Sequence, residues 1–342
     1  MTVSVTIEQA EEPIAVEMGQ TILEAAISQG VPYPHGCRSG NCGACKSRLI
    51  SGDVEMSPYS EFALTEEERD QGLILACRAV PWEDAEVAWL GEDETVHHPI
   101  RRMTCQVAAL DDMTHDIKRV RLDIVDGGPF SFSPGQYCSV AFAGLAPRDY
   151  SMANTPDEER IEFHVRHVAG GASSAYVSER LAIGEEVSVE GPFGTSWLRE
   201  AHRGTIYALA GGSGLAPIKA MVERALDLGM AQSIRLYFGV RDERDLYLED
   251  HFAEMCSRHT NLAFVPVLSE PSGATGRRTG FLHHALAADI GGLDGCKAYL
   301  AGPPPMVEAA TALLLERGMR RDDVHADAYY TEADKAGLEE TP

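Results

Sequence analysis

Residues 35–49 read HGCRSGNCGACKSRL. Three cysteines, Cys37, Cys42 and Cys45, fall within nine residues, and Gly36, Gly40 and Gly43 stand among them. The spacing Cys-x4-Cys-x2-Cys, with a fourth thiol at Cys77, is that of four thiolates gathered on a 2Fe–2S cluster. Three ligands must converge from one loop, and that loop must turn its amides toward the cluster sulfides. The glycines let the backbone come close and take positive φ. A zinc site and unligated thiols are the alternatives; zinc sites favour paired Cys-x2-Cys arms, and here one arm is present.

The other cysteines, Cys105, Cys138, Cys256 and Cys296, are scattered through apolar or strand-like context and read as buried structural thiols. A disulfide framework does not suit a chain of 342 residues with this pattern. The net charge of −24 argues against a nucleic-acid partner, which needs a basic footprint. Residues 1–95 hold 18 acidic and 5 basic side chains, a net −13. That acidity reads either as a solvated face or as a docking face for a basic partner. No run of apolar residues reaches membrane length, and the N-terminus MTVSVTIEQAEEP lacks the form of a signal peptide, so the expected location is the cytoplasm, away from any membrane.

Outward from the cysteine loop, the chain divides by pattern. SVTIEQ and EPIAVEM alternate as a hairpin, TILEAAISQG has helical spacing ending on Gly30, and KSRLISGDVEM reads as a strand. The acidic stretch LTEEERDQG and the returning GLILACRAV complete a small α+β unit. EDETVHHPIRR, 92–102, reads as a linker, and the roughly hundred residues after it carry strands at barrel spacing: CQVAALDDMT, IKRVRLDIV, GQYCSVAF, RIEFHVRHV and EEVSVEGPF. From 204 strands and helices alternate, as in a doubly wound parallel sheet. The domains expected are 1–95, 100–200 and 204–330.

Two further motifs bear on chemistry. RDYSMAN, 148–154, joins an arginine, an aromatic and a hydroxyl on a barrel strand; downstream, Gly170-Gly171 leads into a helix starting near Ser173. A glycine turn at a helix N-terminus presents free amides and suits a phosphate, while an ordinary turn with a satisfied arginine is the plain alternative. ALAGGSGLAPIKAM, 208–221, ends a strand and opens a helix through glycines, which lets a pyrophosphate approach; it lacks the strict G-x-G-x-x-G pattern.

Residues 30–80 resemble a plant-type ferredoxin domain, which implies a β-grasp fold. RDYS and the GGAS turn resemble the flavin motifs of the ferredoxin–NADP reductase superfamily. That resemblance places Arg148 on a flavin phosphate, stacks Tyr150 on the isoalloxazine, sets Ser151 near its reactive nitrogen, and puts Gly171 and Ser174 on the pyrophosphate. Tyr150 and Ser151 are therefore the candidate catalytic pair, and His164, Val165 and Arg166 of the preceding strand join the flavin set. Gly212, Ser213, Gly214, Ala216 and Pro217 resemble the G-T/S-G-x-A-P nucleotide motif. YFGVRDERDLY, 237–247, with Gly239, Arg241 and Asp245, matches the adenine-ribose side, and KAYLAGPPPMVEA, 297–309, with Gly302 and Pro303, the nicotinamide side. Many members carry Cys before Gly-Pro-Pro where this chain has Ala301. In VHADAYYTEADK, Tyr329 by spacing, or Tyr330, takes the place of a C-terminal aromatic that lies against the flavin.

The whole order resembles the single-chain reductases of multicomponent oxygenases, closest to the naphthalene-type aromatic-ring dioxygenases. SPGQY, MTHDIKRVRL, GPFGTSWLR and HADAYY carry that likeness. It implies a multidomain α+β and α/β chain: a β-grasp ferredoxin, an antiparallel flavin-binding β-barrel and a Rossmann-like nicotinamide domain. It also implies a path from NADH through FAD and a 2Fe–2S cluster to a terminal oxygenase or a separate ferredoxin. The acidic majority at Asp242, Glu243 and Asp245 favours NADH, since a 2′-phosphate wants arginine or lysine. The alternatives are a reductase for a diiron monooxygenase or a sugar deoxygenase, and an electron-carrying adaptor that has lost nicotinamide turnover.

Overall fold

The structure is a computed structural model and describes residues 2–36, 38–40, 43–61, 63–90 and 98–330. These fall into two compact units, one of the residues up to 90 with 327–330, the other of 98–326.

In the first unit, β1 (Thr2–Ile7) and β2 (Ile14–Glu17) form the expected antiparallel hairpin, with Val5 opposite Ile14. Alternation puts Val5, Ile7, Ile14 and Val16 in the core. α1 (Ile22–Ser28) starts at a capping box in which Thr21 Oγ1 accepts from the Glu24 amide and Glu24 accepts from the Thr21 amide. KSRLISGDVEM is two strands, β3 (Lys46–Ser51) and β4 (Val54–Met56), rather than one. Gly52, at φ +89°, breaks it where a Cβ would lie 2.7 Å from the Asp84 carbonyl oxygen. The acidic stretch carries a helix, α2 (Glu66–Asp70), with its own Thr65–Glu68 capping box and a 2.6 Å ion pair from Lys46 to Glu68. β5 (Leu73–Leu75), β6 (Ala79–Pro81) and β7 (Ala85–Trp89) follow. The sheet order β2-β1-β7-β3-β5, with only the β1–β7 pair parallel, is the β-grasp arrangement.

The second unit opens with β8 (Arg101–Asp112), so the end of the expected linker is already strand. β9 (Ile117–Asp126), β10 (Tyr137–Phe142), β11 (Arg148–Ser151), β12 (Ile161–Arg166), α3 (Ala172–Glu179) and β13 (Glu186–Phe193) complete the barrel part. The order β11-β10-β13-β8-β9-β12 is antiparallel throughout, and a Met152–Phe163 bridge brings its two edges together.

The rest is β14 (Ile206–Gly211), α4 (Leu215–Asp227), β15 (Ile234–Val240), α5 (Glu249–Arg258), β16 (Leu262–Leu268), β17 (Arg278–Thr279), α6 (Leu282–Asp289), β18 (Lys297–Gly302), α7 (Pro304–Glu316) and β19 (Val324–Ala328). The sheet order is β17-β16-β15-β14-β18-β19. All six residues of β14 are buried, as a central parallel strand covered on both faces requires. The chain runs outward from β14 on one side and returns on the other at β18, so a crevice opens at their carboxyl ends. VHADA, just before the aromatic pair at 329–330, is the edge strand β19.

Candidate active site

Of the four cluster cysteines, Cys37 and Cys42 lie outside the described residues. Cys45 and Cys77 are buried, and the Cys77 amide donates toward Cys45 Sγ at 3.5 Å. Gly40 and Gly43 take φ of +78° and +74°. A Cβ on Gly40 would sit 2.9 Å from both Arg78 and Tyr59, and one on Gly43 would sit 3.0 Å from the Ala63 carbonyl oxygen. The loop is thus pressed onto its support by backbone that only glycine fits. Buried thiols, an amide directed at sulfur and no disulfide among the described cysteines suit a cluster ligated by thiolates. Of the thiols read as structural, Cys105, Cys138 and Cys296 are buried and Cys256 is half-buried on α5.

On the barrel, Tyr150 stands half-buried between Phe142 and Phe163, with ring centroids 6.1 and 6.2 Å away, and burial pushes its phenol up to about 12. Ser151 is buried beside it and Arg148 is exposed at the start of β11. Gly171 is the N-cap of α3. Ser174 uses its hydroxyl within the turn, accepting from the Val168 amide at 3.1 Å and donating to the Gly171 carbonyl at 3.1 Å. It shapes the 168–171 turn. Ser173 Oγ, buried in the first turn of α3, lies within hydrogen-bonding reach of the Tyr150 phenol. A helix N-terminus opened by glycine beside a half-buried tyrosine fits a flavin.

Val165 is buried on β12, and His164 beside it has no exposed side-chain surface. Both His164 ring nitrogens are engaged, with Glu162 and Tyr247 at 3.1 Å each. Arg166 ends β12 and bonds Asp116 at 2.9 Å. Burial alone would raise the Asp116 carboxyl, but the Thr114 hydroxyl and the Arg166 guanidinium hold it below the ordinary carboxylate value.

A cavity of about 550 Å³ lies at the carboxyl ends of the parallel strands. Gly211, Gly212, Gly239, Arg241, Asp245 and Pro303 line it, so the two nucleotide motifs meet there. Asp116, Ile117 and Arg166 reach it from the barrel, and Phe281 and His283 close another side. The glycines differ in role. A Cβ on Gly214 would sit 2.1 Å from the Ala301 carbonyl oxygen, and Gly302, at φ +145°, lies against Gly211. These two segments pack backbone on backbone. Gly212, at φ +55°, faces the Arg166 guanidinium 3.1 Å from where a Cβ would stand. Ser213 is half-buried, and Ala216 and Pro217 are buried in α4. Asp242 accepts from the Glu243 and Ser272 amides, and Glu243 binds Thr275 and Arg277. Of the three acids only Asp245 faces the cavity, and its Oδ1 is buried without a hydrogen bond, 3.6 Å from His115 Nδ1. An open crevice with an unpaired acceptor suits a nucleotide that brings hydroxyl donors. Tyr329 follows β19 and is half-buried.

Three family descriptions match in order: a 2Fe-2S iron-sulfur cluster binding domain over 5–81, an oxidoreductase FAD-binding domain over 104–197 and an oxidoreductase NAD-binding domain over 208–312. The chain is 39% identical over 318 residues to the ferredoxin–NAD(P)+ reductase component of the naphthalene 1,2-dioxygenase/salicylate 5-hydroxylase systems of a Ralstonia species, covering 92% of this chain and 94% of that one. The chain belongs to the reductase components of oxygenase systems. This reductase is an NADH-dependent oxidoreductase whose cofactors are a 2Fe–2S cluster, FAD and NADH. It is also 37% identical over 344 residues to the reductase component of phenol 2-monooxygenase from a Pseudomonas species, covering 98% of this chain and 97% of that one. Its fold is similar to that of an Amycolatopsis cytochrome P450 reductase, with TM-score 0.79, 37% identity and coverage of 96% and 98%. Among the described residues no helix is long and apolar enough to cross a membrane.

Sequence reading missed the parts of the cavity contributed from a distance. Asp116 stands inside the quoted MTHDIKRVRL but was not singled out there, and Phe281 and His283 come from a helix start with no motif of their own. Lys219 lay inside a quoted motif, yet nothing in its spacing says that it bonds the Ala153 carbonyl of the barrel at 2.9 Å.

Proposed function

We propose that this reductase supplies electrons to the terminal oxygenase of an aromatic-ring dioxygenase system, or to that system's separate ferredoxin. The domain bounds are 1–95 for the cluster, 100–200 for FAD and 204–330 for the nicotinamide. One observation carries the internal part: the nucleotide crevice of the parallel sheet is lined on one side by Asp116, Ile117 and Arg166 of the flavin barrel. Both nucleotides then share one cleft. Bound flavin supplies the exchange between a two-electron hydride donor and one-electron acceptors. The chain's own residues do the placing. Arg148 and the 168–171 turn hold the flavin phosphates, Tyr150 covers the ring and Ser151 orients its polar edge. Gly212 and Pro303 leave room for the nicotinamide, Arg241 and Asp245 hold the ribose end, and Cys37, Cys42, Cys45 and Cys77 ligate the cluster.

Anaerobic titration with NADH tests this reading. Flavin absorbance should bleach, and a rhombic low-temperature EPR signal of a reduced 2Fe–2S cluster should follow. A cluster signal with dithionite but not with NADH would sink the nicotinamide assignment. The 37% identity to a phenol 2-monooxygenase reductase favours a second reading, service to a monooxygenase. Coupled NADH consumption with a purified Rieske-type dioxygenase and with a purified diiron hydroxylase separates the two.

A further inference from the structure

Tyr247 lies wholly buried between the barrel and the nucleotide crevice, its ring edge-on to His164 at 5.4 Å and to Phe238 at 5.5 Å. Its hydroxyl has two acceptors in reach, His164 Nδ1 at 3.1 Å and the Gly212 carbonyl at 3.3 Å. It has one hydrogen to give. His164 Nε2 faces Glu162 Oε1 at 3.1 Å. An ionised carboxylate only accepts, so that nitrogen carries a hydrogen. A neutral His164 therefore offers a bare Nδ1, and the tyrosine donates to it and not to Gly212. An imidazolium carries a second hydrogen on Nδ1, donates to the tyrosine oxygen, and releases the phenol hydrogen to the Gly212 carbonyl.

We propose that Tyr247 is a positioning residue that ties the Gly212 turn to flavin-barrel strand β12 through His164, and that the tie is completed when His164 takes up a proton. This rests on the nicotinamide reading of the crevice. Gly212 lines that crevice, so fixing its turn pre-organises nucleotide binding. The groups facing His164 and Tyr247 are Glu162 on the same strand, Lys219 on α4, Arg119 on β9, and Arg166 with Asp116 at the cleft. Glu162 favours the imidazolium; burial, Lys219 and Arg119 oppose it, so the ring titrates below the ordinary histidine value.

The test is calorimetric titration of NAD+ into the holoprotein, wild type and Tyr247→Phe, at about pH 8 and in steps down to about pH 4.5, since a ring that titrates below the ordinary histidine value needs more acid to take its proton. The phenylalanine keeps the ring and removes the hydroxyl. The ratio of variant to wild-type Kd should grow about fivefold from the higher pH to the lower, the effect of one net hydrogen bond. A ratio that is the same at every pH overturns the proposal, since the tyrosine then acts by shape alone. His164→Asn, which cannot titrate, provides a second reading should Tyr247→Phe fail to fold; its ratio to wild type must also change with pH. A wild type that oxidises NADH while both ratios stay flat overturns this inference alone. A wild type that neither binds NAD+ nor oxidises NADH overturns the crevice reading and this one with it.

Discussion

The cysteine loop and the nicotinamide turn are both rich in glycine, for different reasons. In the loop, Gly40 and Gly43 hold positive φ and lie close against Arg78, Tyr59 and Ala63. In the turn, Gly214 has no positive φ; it is glycine because the next strand's backbone, at Ala301, stands where a side chain would go. One set of glycines serves a metal centre through backbone conformation. The other serves strand-to-helix packing, and the crevice is its by-product.

The sharpest break in that comparison is Cys77→Ser. The visible absorption and EPR signal of the cluster should disappear while flavin absorbance remains, because Cys77 lies in one unit and Arg148, Tyr150 and Ser151 in the other. Next is Lys219→Met. Lys219 bonds Ala153, pairs with Glu223 at 2.9 Å and lies 3.7 Å from Glu162. Removing it leaves the buried Glu162 and the half-buried Glu223 with only His164 and His251 beside them, at a cost of about 3 kcal/mol by chemical denaturation. Acid should act on the same cluster. Burial would raise the Glu162 carboxyl, but His164 and Lys219 hold it down at about 2. A depressed carboxylate stabilises above its unfolded value and loses that contribution as pH falls toward the folded one. Denaturation midpoints followed by tryptophan emission should therefore drop below about pH 4.5, with about 3 kcal/mol at stake from this group. The smaller contrast is between glycines. Gly214→Ala forces a Cβ onto Ala301 and should cost about 2–3 kcal/mol. Gly170→Ala, with open space but φ +78°, should cost about 1 kcal/mol. Equal losses would remove the distinction drawn above.

How much the sequence disclosed follows the same line. A metal cluster imposes its ligand spacing on the chain, so a 2Fe–2S centre can be read from the spacing of Cys37, Cys42 and Cys45. Barrel strands and the parallel sheet follow from alternation and from buried runs such as IYALAG. The misreadings came where local pattern is silent about partners. LISGDV looks continuous until Gly52 meets Asp84. The acids of 242–245 read as a charge filter, yet Asp242 and Glu243 are occupied by Ser272, Thr275 and Arg277, thirty residues away in the chain. That pairing is tertiary and leaves no trace in composition.

Lys219 also bears on modularity. Three-part electron-transfer chains invite recombination, and the segment after β13 looks like a natural splice point for a foreign nicotinamide domain. Such a graft would inherit from the barrel an Ala153 carbonyl without its donor and a Glu162 carboxylate left to His164 alone, unless the incoming helix brings a cation at the matching turn. Interchangeability at this junction is therefore written in one ammonium group, and successful chimeras should be those that carry it along.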